Sequence, residues 1–408
     1  METIIEGEKT GADSLRIIYL VTGRFPSDKA NGYQIATMCR EFSKAGATVA
    51  VWRTYRASAE AIDPYEYYAV PRSAFSVCTL GGIDWMSIQW MPIVVRFYAQ
   101  QLHFALAFLF SQVPRGSVVY TREPWLVWLA WVKRLPVFFE CHDWFRSLIR
   151  PQVWLARRAS GIVVTNRFIG SEFQKCGVSD DDILIAPNGV DLSRFDLDLS
   201  KQQAIKKLPL SDEYKHSLSD RFILMYTGSY FTNGEEKGID DILKALRKLG
   251  EPPVFFVAVG GKEQEISHYR ERAKELDVAE RVMFLGRYTQ DELAIFQKAA
   301  DVLVMPFPDR AHYREHMSPL KTFEYMASER PIIASKLPSL RAILKDEEAF
   351  WCEPDDPDSL SQKIVELLRD TSKAQERSRN ARTAVKNYTW QNRARTIIEH
   401  IQTHVSVS

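Results

Sequence analysis

Residues 315–335, EHMSPLKTFEYMASERPIIAS, combine an anion-binding pattern with a carboxylate on one predicted helix. Ser318 is a predicted N-cap, and Pro319 suits the first helical position. Leu320, Phe323 and Ala327 then recur on one face. The exposed amides from Ser318 to Lys321, with the helix dipole behind them, would attract a diphosphate. Glu324, one to two turns in, could accept hydrogen bonds from two neighbouring ribose hydroxyls. The chemistry suggested is the gripping of a nucleoside diphosphate, although an ordinary capped helix with a solvated glutamate carries the same pattern. Gly260 and Gly261 close the apolar run VFFVAVGG, where glycine permits close backbone approach to a ligand. His142 follows the strand-like VFFEC, with Asp143 beside it as a turn cap. Asp180-Asp181-Asp182 is expected to be a solvated turn rather than a metal site.

The elements that must position these groups alternate along the chain. RIIYLVTG (16–23), TVAVWR (48–53), VVYT (118–121), VFFEC (137–141) and GIVVT (161–165) are predicted strands separated by helical patterns. In the first of those helices Ile35, Met38, Cys39 and Phe42 form the core face and Gly46 ends it. Residues 57–86 show no regular pattern. The alternation restarts with FILMYTG (222–228) and continues through VFFVAVGG (254–261), VMFLG (282–286), DVLVMP (301–306) and PIIAS (331–335). Such order predicts an α/β chain with two parallel, doubly wound sheets, and ligands beyond the carboxyl ends of their strands. The polar stretch 196–220 is the expected linker, and 390–401 the final helix.

Composition excludes several classes. Lys plus Arg number 53 against 52 acids, so no nucleic-acid partner is expected. Five cysteines, an odd count without metal-ligand spacing, suit a reduced cytoplasmic chain. The polar start METIIEGEKTGADS lacks a signal core. The longest apolar stretch, 88–110, carries Arg96, Gln100, Gln101 and His103, which argues against a spanning helix. No G-x-G-x-x-G follows a predicted strand and no P-loop is present, so a nicotinamide enzyme or P-loop NTPase is not expected.

SPLKTFEYMA closely resembles the signature of the retaining glycosyltransferase family 4 (glycosyl transferases group 1), whose members have the GT-B fold. Its pattern is Glu, seven residues, Glu. The second Glu, which holds the nucleotide ribose, corresponds to Glu324; His316 stands at the first, which contacts the donor sugar, with Glu315 one residue off. TGRFPSDKANGYQIATMCREFSKAG resembles the family's first loop and helix, making Gly32 the counterpart of a glycine near the donor phosphate. VFFECHDW places His142 where the family has a His close to the donor sugar, and APNGVDLSRF resembles the phrase closing the first domain, with Asn188-Gly189 a structural turn. YTGSYFTNGEEKGIDDILKAL matches the first strand–loop–helix of the donor domain: Lys237 matches the diphosphate-neutralising Lys, while Ser229 or Tyr230 occupies the usual Arg position.

The resemblance implies a GT-B protein with two Rossmann-like domains facing across a cleft. The expected divisions are an acceptor-side domain over 1–196, a linker over 197–220, a nucleotide-sugar domain over 221–386, and a C-terminal helix over 387–408 that crosses back to the first domain. It implies retaining transfer from a nucleoside diphosphate sugar to a hydroxyl acceptor, without a cofactor or an obligatory metal. His142, His316 and Lys237 are the catalytic candidates; Gly32, Ser229, Lys237, Gly260, Gly261, Arg287, Ser318, Leu320, Lys321 and Glu324 are the donor-binding candidates. A nucleotide-sugar-binding partner subunit of impaired activity and a GT-B sugar-nucleotide epimerase are the rival readings. Residues 85–158 are rich in Trp and Phe and carry Arg96, Arg115, Arg122, Lys133, Arg134, Arg146, Arg150, Arg157 and Arg158. They suggest peripheral contact with the inner face of a membrane and a lipid-linked or envelope-glycan acceptor, unless the aromatics are core and the bases scattered surface.

Overall fold

A computed structural model describes residues 14–27, 30–144, 149–232, 234–250 and 253–405. The polar residues 1–13 and Arg146 lie outside the described residues, as do the side chains of residues 149–152, Arg150 among them. The chain divides into two compact units: Met1–Thr165, Ile169–Ala186 and Trp390–Ser408 form the first, and Asn166–Phe168 with Pro187–Thr389 the second.

The first unit is built on β1 (Arg16–Val21), β2 (Thr48–Thr54), β3 (Ser76–Leu80), β4 (Ser117–Thr121), β5 (Val137–Cys141), β6 (Gly161–Val164) and β7 (Ile183–Ile185). They pair in the order β3-β2-β1-β4-β5-β6-β7, all parallel. β4, β5 and β6 are buried throughout, which is why they appear as unbroken apolar runs. The helix Ala30–Lys44 ends where expected: Gly46 adopts φ +94°, and the Ala47 amide donates to the Phe42 carbonyl at 3.0 Å. The helix Trp390–Val405 packs against Ala30–Lys44 and β6, so the C-terminal helix does return to the first unit.

The second unit holds β8 (Phe222–Thr227), a small antiparallel hairpin of β9 (Phe231–Thr232) and β10 (Glu235–Glu236), then β11 (Val254–Val259), β12 (Val282–Leu285), β13 (Val302–Met305), β14 (Ile332–Ser335) and β15 (Phe350–Cys352). Its six-stranded parallel sheet runs β12-β11-β8-β13-β14-β15. Alternate side chains of β8 serve opposite faces: Ile223 and Met225 enter one apolar cluster, Leu224 and Tyr226 the other. The expected α/β class with two Rossmann-like parallel sheets is therefore the observed one.

Four short strands and the linker differ from expectation. β7 and β15 have three residues each and β9 and β10 two, too few to show periodicity. β3 is a partly exposed edge strand. Residues 197–220 are no linker but two helices, Lys201–Lys207 and Asp212–Ser219, on the second unit. Ala204, Ile205 and Leu218 of these helices, with Leu208 just after the first, are buried, while Tyr214 and most polar residues face outward and hide the pattern. Lys201 Nζ anchors them to Asp301 Oδ2 at 2.5 Å.

Candidate functional site

In the second unit the turn after β8 sets the geometry. Gly228 has φ +115° and Gly260 φ +118°. A Cβ on Gly260 would lie 2.7 Å from the Gly228 carbonyl oxygen, and one on Gly261 would lie 2.3 Å from the Tyr230 ring. Both glycines are thus demanded by packing within the unit itself, a reason apart from the ligand approach for which the sequence proposed them.

Two lysines converge beside this turn. Lys237 Nζ donates to Ser229 Oγ at 2.8 Å. Lys321 Nζ stands 3.5 Å from the centroid of the Tyr226 ring, and a Cβ on Gly228 would meet it at 3.2 Å. It has no hydrogen-bond partner, and neither ammonium forms an ion pair with a described carboxylate. Burial pushes the Lys321 amine well below its usual value; the Lys237 charge adds to this and Glu324 opposes it. Burial likewise lowers Lys237 to about 8. Two desolvated amines without an ion-pair partner among the described residues suit a ligand that brings negative charge and restores their protons.

Glu324 completes the group, its carboxyl raised by burial against the opposing pull of Lys321 and Gln297. Gln297 Nε2 also donates to Thr227 Oγ1 at 3.1 Å, and the Thr227 amide donates to Tyr325 Oη at 2.8 Å. These bonds fasten the helix Leu320–Ala327 to the end of β8, and so hold Glu324 and Lys321 in register with the turn.

The helix start differs from the expected cap. Pro319 is the N-cap, Leu320 is the first helical residue, and no side chain caps the turn. Ser318 is engaged elsewhere: its Oγ accepts from the Asn188 amide at 3.3 Å, and its carbonyl accepts from Asn188 Nδ2 at 2.7 Å. Asn188 thus holds Ser318 rather than forming the turn expected of Asn188-Gly189, and the helix tip is left without a side-chain cap, as an anion site requires. His316 is buried at the end of a π-helical turn, His312–His316, between buried Tyr313 and Met317. Arg287 is exposed on the loop after β12.

The first unit carries Gly32 and His142. A Cβ on Gly32 would lie 2.2 Å from Tyr68 Oη, which accepts from the Ser27 amide at 2.8 Å. The glycine therefore admits the tyrosine that ties down the preceding loop. His142, after β5, directs Nε2 to Glu140 Oε1 at 2.6 Å. Burial and the Arg122 charge lower the imidazole to about 4, so it is neutral at physiological pH. With Nε2–H donating to the carboxylate, Nδ1 is left as an acceptor.

Glu140 is 0% exposed and is the centre of a network the sequence did not disclose. It accepts from Arg122 Nε at 3.2 Å and from Arg393 Nη2 at 2.5 Å. Arg122 Nη1 also donates to Asn31 Oδ1 at 2.6 Å and to Gln34 Oε1 at 2.9 Å. Burial alone would raise the Glu140 carboxyl, but Arg122 and Arg393 outweigh it and hold it well below the usual range. A charged residue inside the otherwise apolar VFFEC was the available signal; Arg393, 253 residues away, had none.

Asp180–Asp182 forms a single 3-10 turn, with Asp180 and Asp181 exposed. No group of three His, Cys, Asp or Glu side chains that could hold a metal occurs among the described residues.

The depressed Lys237 predicts a pH dependence. A bound diphosphate should restore the proton, so nucleoside diphosphate affinity is expected to fall as pH rises through about 8. Calorimetry in buffers of different ionisation enthalpy should show proton uptake there; equal affinity on both sides of that pH would contradict the assignment. In the free protein, between about 8 and the ordinary 10.5, the unfolded chain binds more protons at this lysine than the folded one. Lys237 therefore makes stability rise with pH across that window.

Two family models match the chain: Glycosyl transferases group 1 over residues 214–384, and Glycosyltransferase Family 4 over residues 32–194. An uncharacterized glycosyltransferase of Methanocaldococcus jannaschii is 25% identical over 224 residues, 54% of this chain and 53% of its own length. The alpha-monoglucosyldiacylglycerol synthase of Streptococcus pneumoniae is 22% identical over 358 residues, 82% of this chain and 74% of its own. The chain thus spans about half of the first relative and about three quarters of the second. Among solved structures, a glycosyltransferase from Rickettsia africae superposes with a TM-score of 0.74 at 15% identity, over 97% of this chain and 100% of the other. An Anabaena protein in complex with UDP-glucose gives 0.68 at 16%, over 95% and 100%. At such identities these two likenesses show the fold.

Proposed function

Since the chain belongs to the group 1 glycosyl transferases, we propose that it moves a glycosyl group from a nucleoside diphosphate sugar to a hydroxyl acceptor, with retention of anomeric configuration. The observation that carries this is the pair of buried lysine amines, Lys237 and Lys321, set without an ion-pair partner among the described residues beside an uncapped helix tip, where a bound diphosphate would hold them protonated. Breaking a glycosyl–phosphate bond leaves positive charge on the sugar and negative charge on the diphosphate. Fixed cations in a dry site stabilise that leaving group without rearranging. On this reading the lysines supply the charge and no bound metal is required. Glu324 takes the ribose hydroxyls. Retention would follow from acceptor attack on the face that the phosphate leaves, with a phosphate oxygen taking the acceptor proton.

The acceptor we propose is a lipid-linked or envelope hydroxyl at the inner face of a membrane, reached by a cytoplasmic protein in peripheral contact with the bilayer. The likeness to a synthase named for a glycosylated diacylglycerol supports this reading, as does the exposed apolar surface of the first unit.

Thermal-shift screening tests the donor. A nucleoside diphosphate sugar at 100-fold its dissociation constant should add about 2.7 kcal/mol of stability, whereas a CMP-sugar, with one phosphate, should add far less. Glu324→Ala is expected to weaken donor binding roughly 10- to 100-fold, the loss of one or two charge-assisted hydrogen bonds, with the fold retained. Unchanged donor affinity in that variant refutes the role of Glu324. Release of free nucleoside diphosphate on turnover separates transfer from epimerisation, which releases none.

A further inference from the structure

The helix Ile93–Phe110 is apolar on the side where a surface helix is normally polar. Its 18 residues extend about 27 Å. Inward it buries Gln100, Phe104 and Phe108. Gln100 Nε2 donates to Thr54 Oγ1 at 2.6 Å, and Oε1 accepts from the Trp85 amide at 2.9 Å, so the helix is fastened along the first unit. Outward, at the same spacing of four, it exposes Val94, Tyr98, Leu102, Leu106 and Phe110, the last at 85%. Its length and composition would suffice to cross a bilayer, but the fastened face rules for an orientation in the membrane plane.

The neighbouring helix Pro124–Val132, PWLVWLAWV, contains no polar residue and exposes Trp128, Trp131 and Val132. It contacts both Ile93–Phe110 and the helix Ile149–Ala156. Beside these rings the Arg158 guanidinium lies 3.8 Å from the Trp154 centroid and 5.3 Å from that of Trp131. Lys133 Nζ, at the other end, bonds the carbonyls of Leu109 and Ser111 at 2.8 and 3.0 Å.

The charge around this surface has one sign. The cations set against it are Arg158, over Trp154 and Trp131, and Lys133, over Phe108, while the acids of residues 85–158 are Glu123, Glu140 and Asp143. Glu140 is buried among arginines, and Glu123 accepts from Trp125 Nε1 and the Thr22 amide. A second copy docked here by a two-fold axis would set bases against bases. An anionic bilayer satisfies both the stripe and its cations, with tryptophans at headgroup depth.

We infer that the outward faces of Ile93–Phe110 and Pro124–Val132, with Trp154 and Arg158, form a docking surface for an anionic lipid bilayer. This rests on the membrane-side acceptor proposed above and specifies the surface that meets the lipid. The test is co-sedimentation of the full chain with phosphatidylcholine vesicles, with and without phosphatidylglycerol, for the wild type and for Leu102→Glu combined with Leu106→Glu. Both leucines are exposed, so the variant should keep the wild-type nucleotide-sugar thermal shift. Wild-type binding should depend on phosphatidylglycerol and fall with salt, and the double variant should bind at least about tenfold more weakly. Equal binding to both vesicle types, or no effect of the two substitutions, overturns the inference. So does a stable wild-type dimer, seen by light scattering and abolished by the substitutions, that binds no vesicles. Vesicle binding without nucleoside diphosphate release in a lipid-acceptor assay would instead refute the transfer reading and leave the surface standing.

Discussion

Lys321→Met is expected to raise the thermal midpoint while lowering transfer roughly 10²- to 10³-fold. The two effects have one origin. Lys321 Nζ is buried, has no hydrogen-bond partner and lies over the Tyr226 ring, with Lys237 as a like-charged neighbour. An ammonium so placed costs the folded protein stability, because burial penalises its charge and nothing nearby returns the lost hydration. Methionine fills a similar volume without charge. Those same properties give the lysine its value to a leaving diphosphate, which would supply the missing counter-charge in a buried site. The lysine's folded pKa is lowered, so below the ordinary 10.5 the unfolded chain binds more protons there, and wild-type stability should rise with pH toward that value. The variant should lack that component of the slope. Scanning calorimetry and a nucleoside diphosphate release assay read the two effects separately. A lower midpoint in Lys321→Met would mean that contact with Tyr226 outweighs desolvation. A higher midpoint with undiminished transfer would remove Lys321 from the chemistry.

How far this was legible in the sequence depended on how local the signal was. Parallel strands such as VFFEC and VFFVAV are buried on both faces, so their burial is written as composition and they could be placed almost to the residue. SPLKTFEYMA gave the helix that carries Lys321 and Glu324, since the relevant groups lie within two turns. The cap was misassigned because Ser318 is held by Asn188, 130 residues earlier, and no local rule anticipates a competitor at that separation. The same limit explains the glycines. Gly32 and Gly261 looked like openings for ligand, but the volumes they vacate are taken by Tyr68 and Tyr230, side chains whose positions only the folded chain fixes. Residues 197–220 looked like a linker because mostly polar helices on a unit's outside and unstructured segments share a composition; what separates them is the burial of Ala204, Ile205, Leu208 and Leu218.

The largest loss of stability is expected at Glu140. Glu140→Gln keeps the shape of the side chain but removes the one negative charge among Arg122, Arg393 and the neutral His142. Breaking a buried ion pair by removing one partner typically costs about 3–5 kcal/mol, since the other charge is left uncompensated, and here two guanidiniums share the carboxylate. Burial acts to raise this carboxyl and the arginines to lower it, with the arginines prevailing. Its folded value is thus below the ordinary one. The stability it contributes is present above the ordinary carboxylate range and is lost as pH falls toward the folded value; the glutamine variant should lack that acid-limb dependence. Arg393→Met should cost less than Glu140→Gln, because Arg122 still pairs with the carboxylate and itself keeps Asn31 and Gln34. Glu140→Leu combined with Arg393→Met should recover part of the single-variant losses, as coupled partners do when both are replaced by apolar groups. Urea melts of these three variants and of Glu140→Leu alone decide the ordering. Additive losses would show that Arg393 and Glu140 do not act as a pair. A Glu140→Gln protein as stable as the wild type would mean that the carboxylate does not neutralise this cluster, and that the neutral, oriented His142 must be explained by something else.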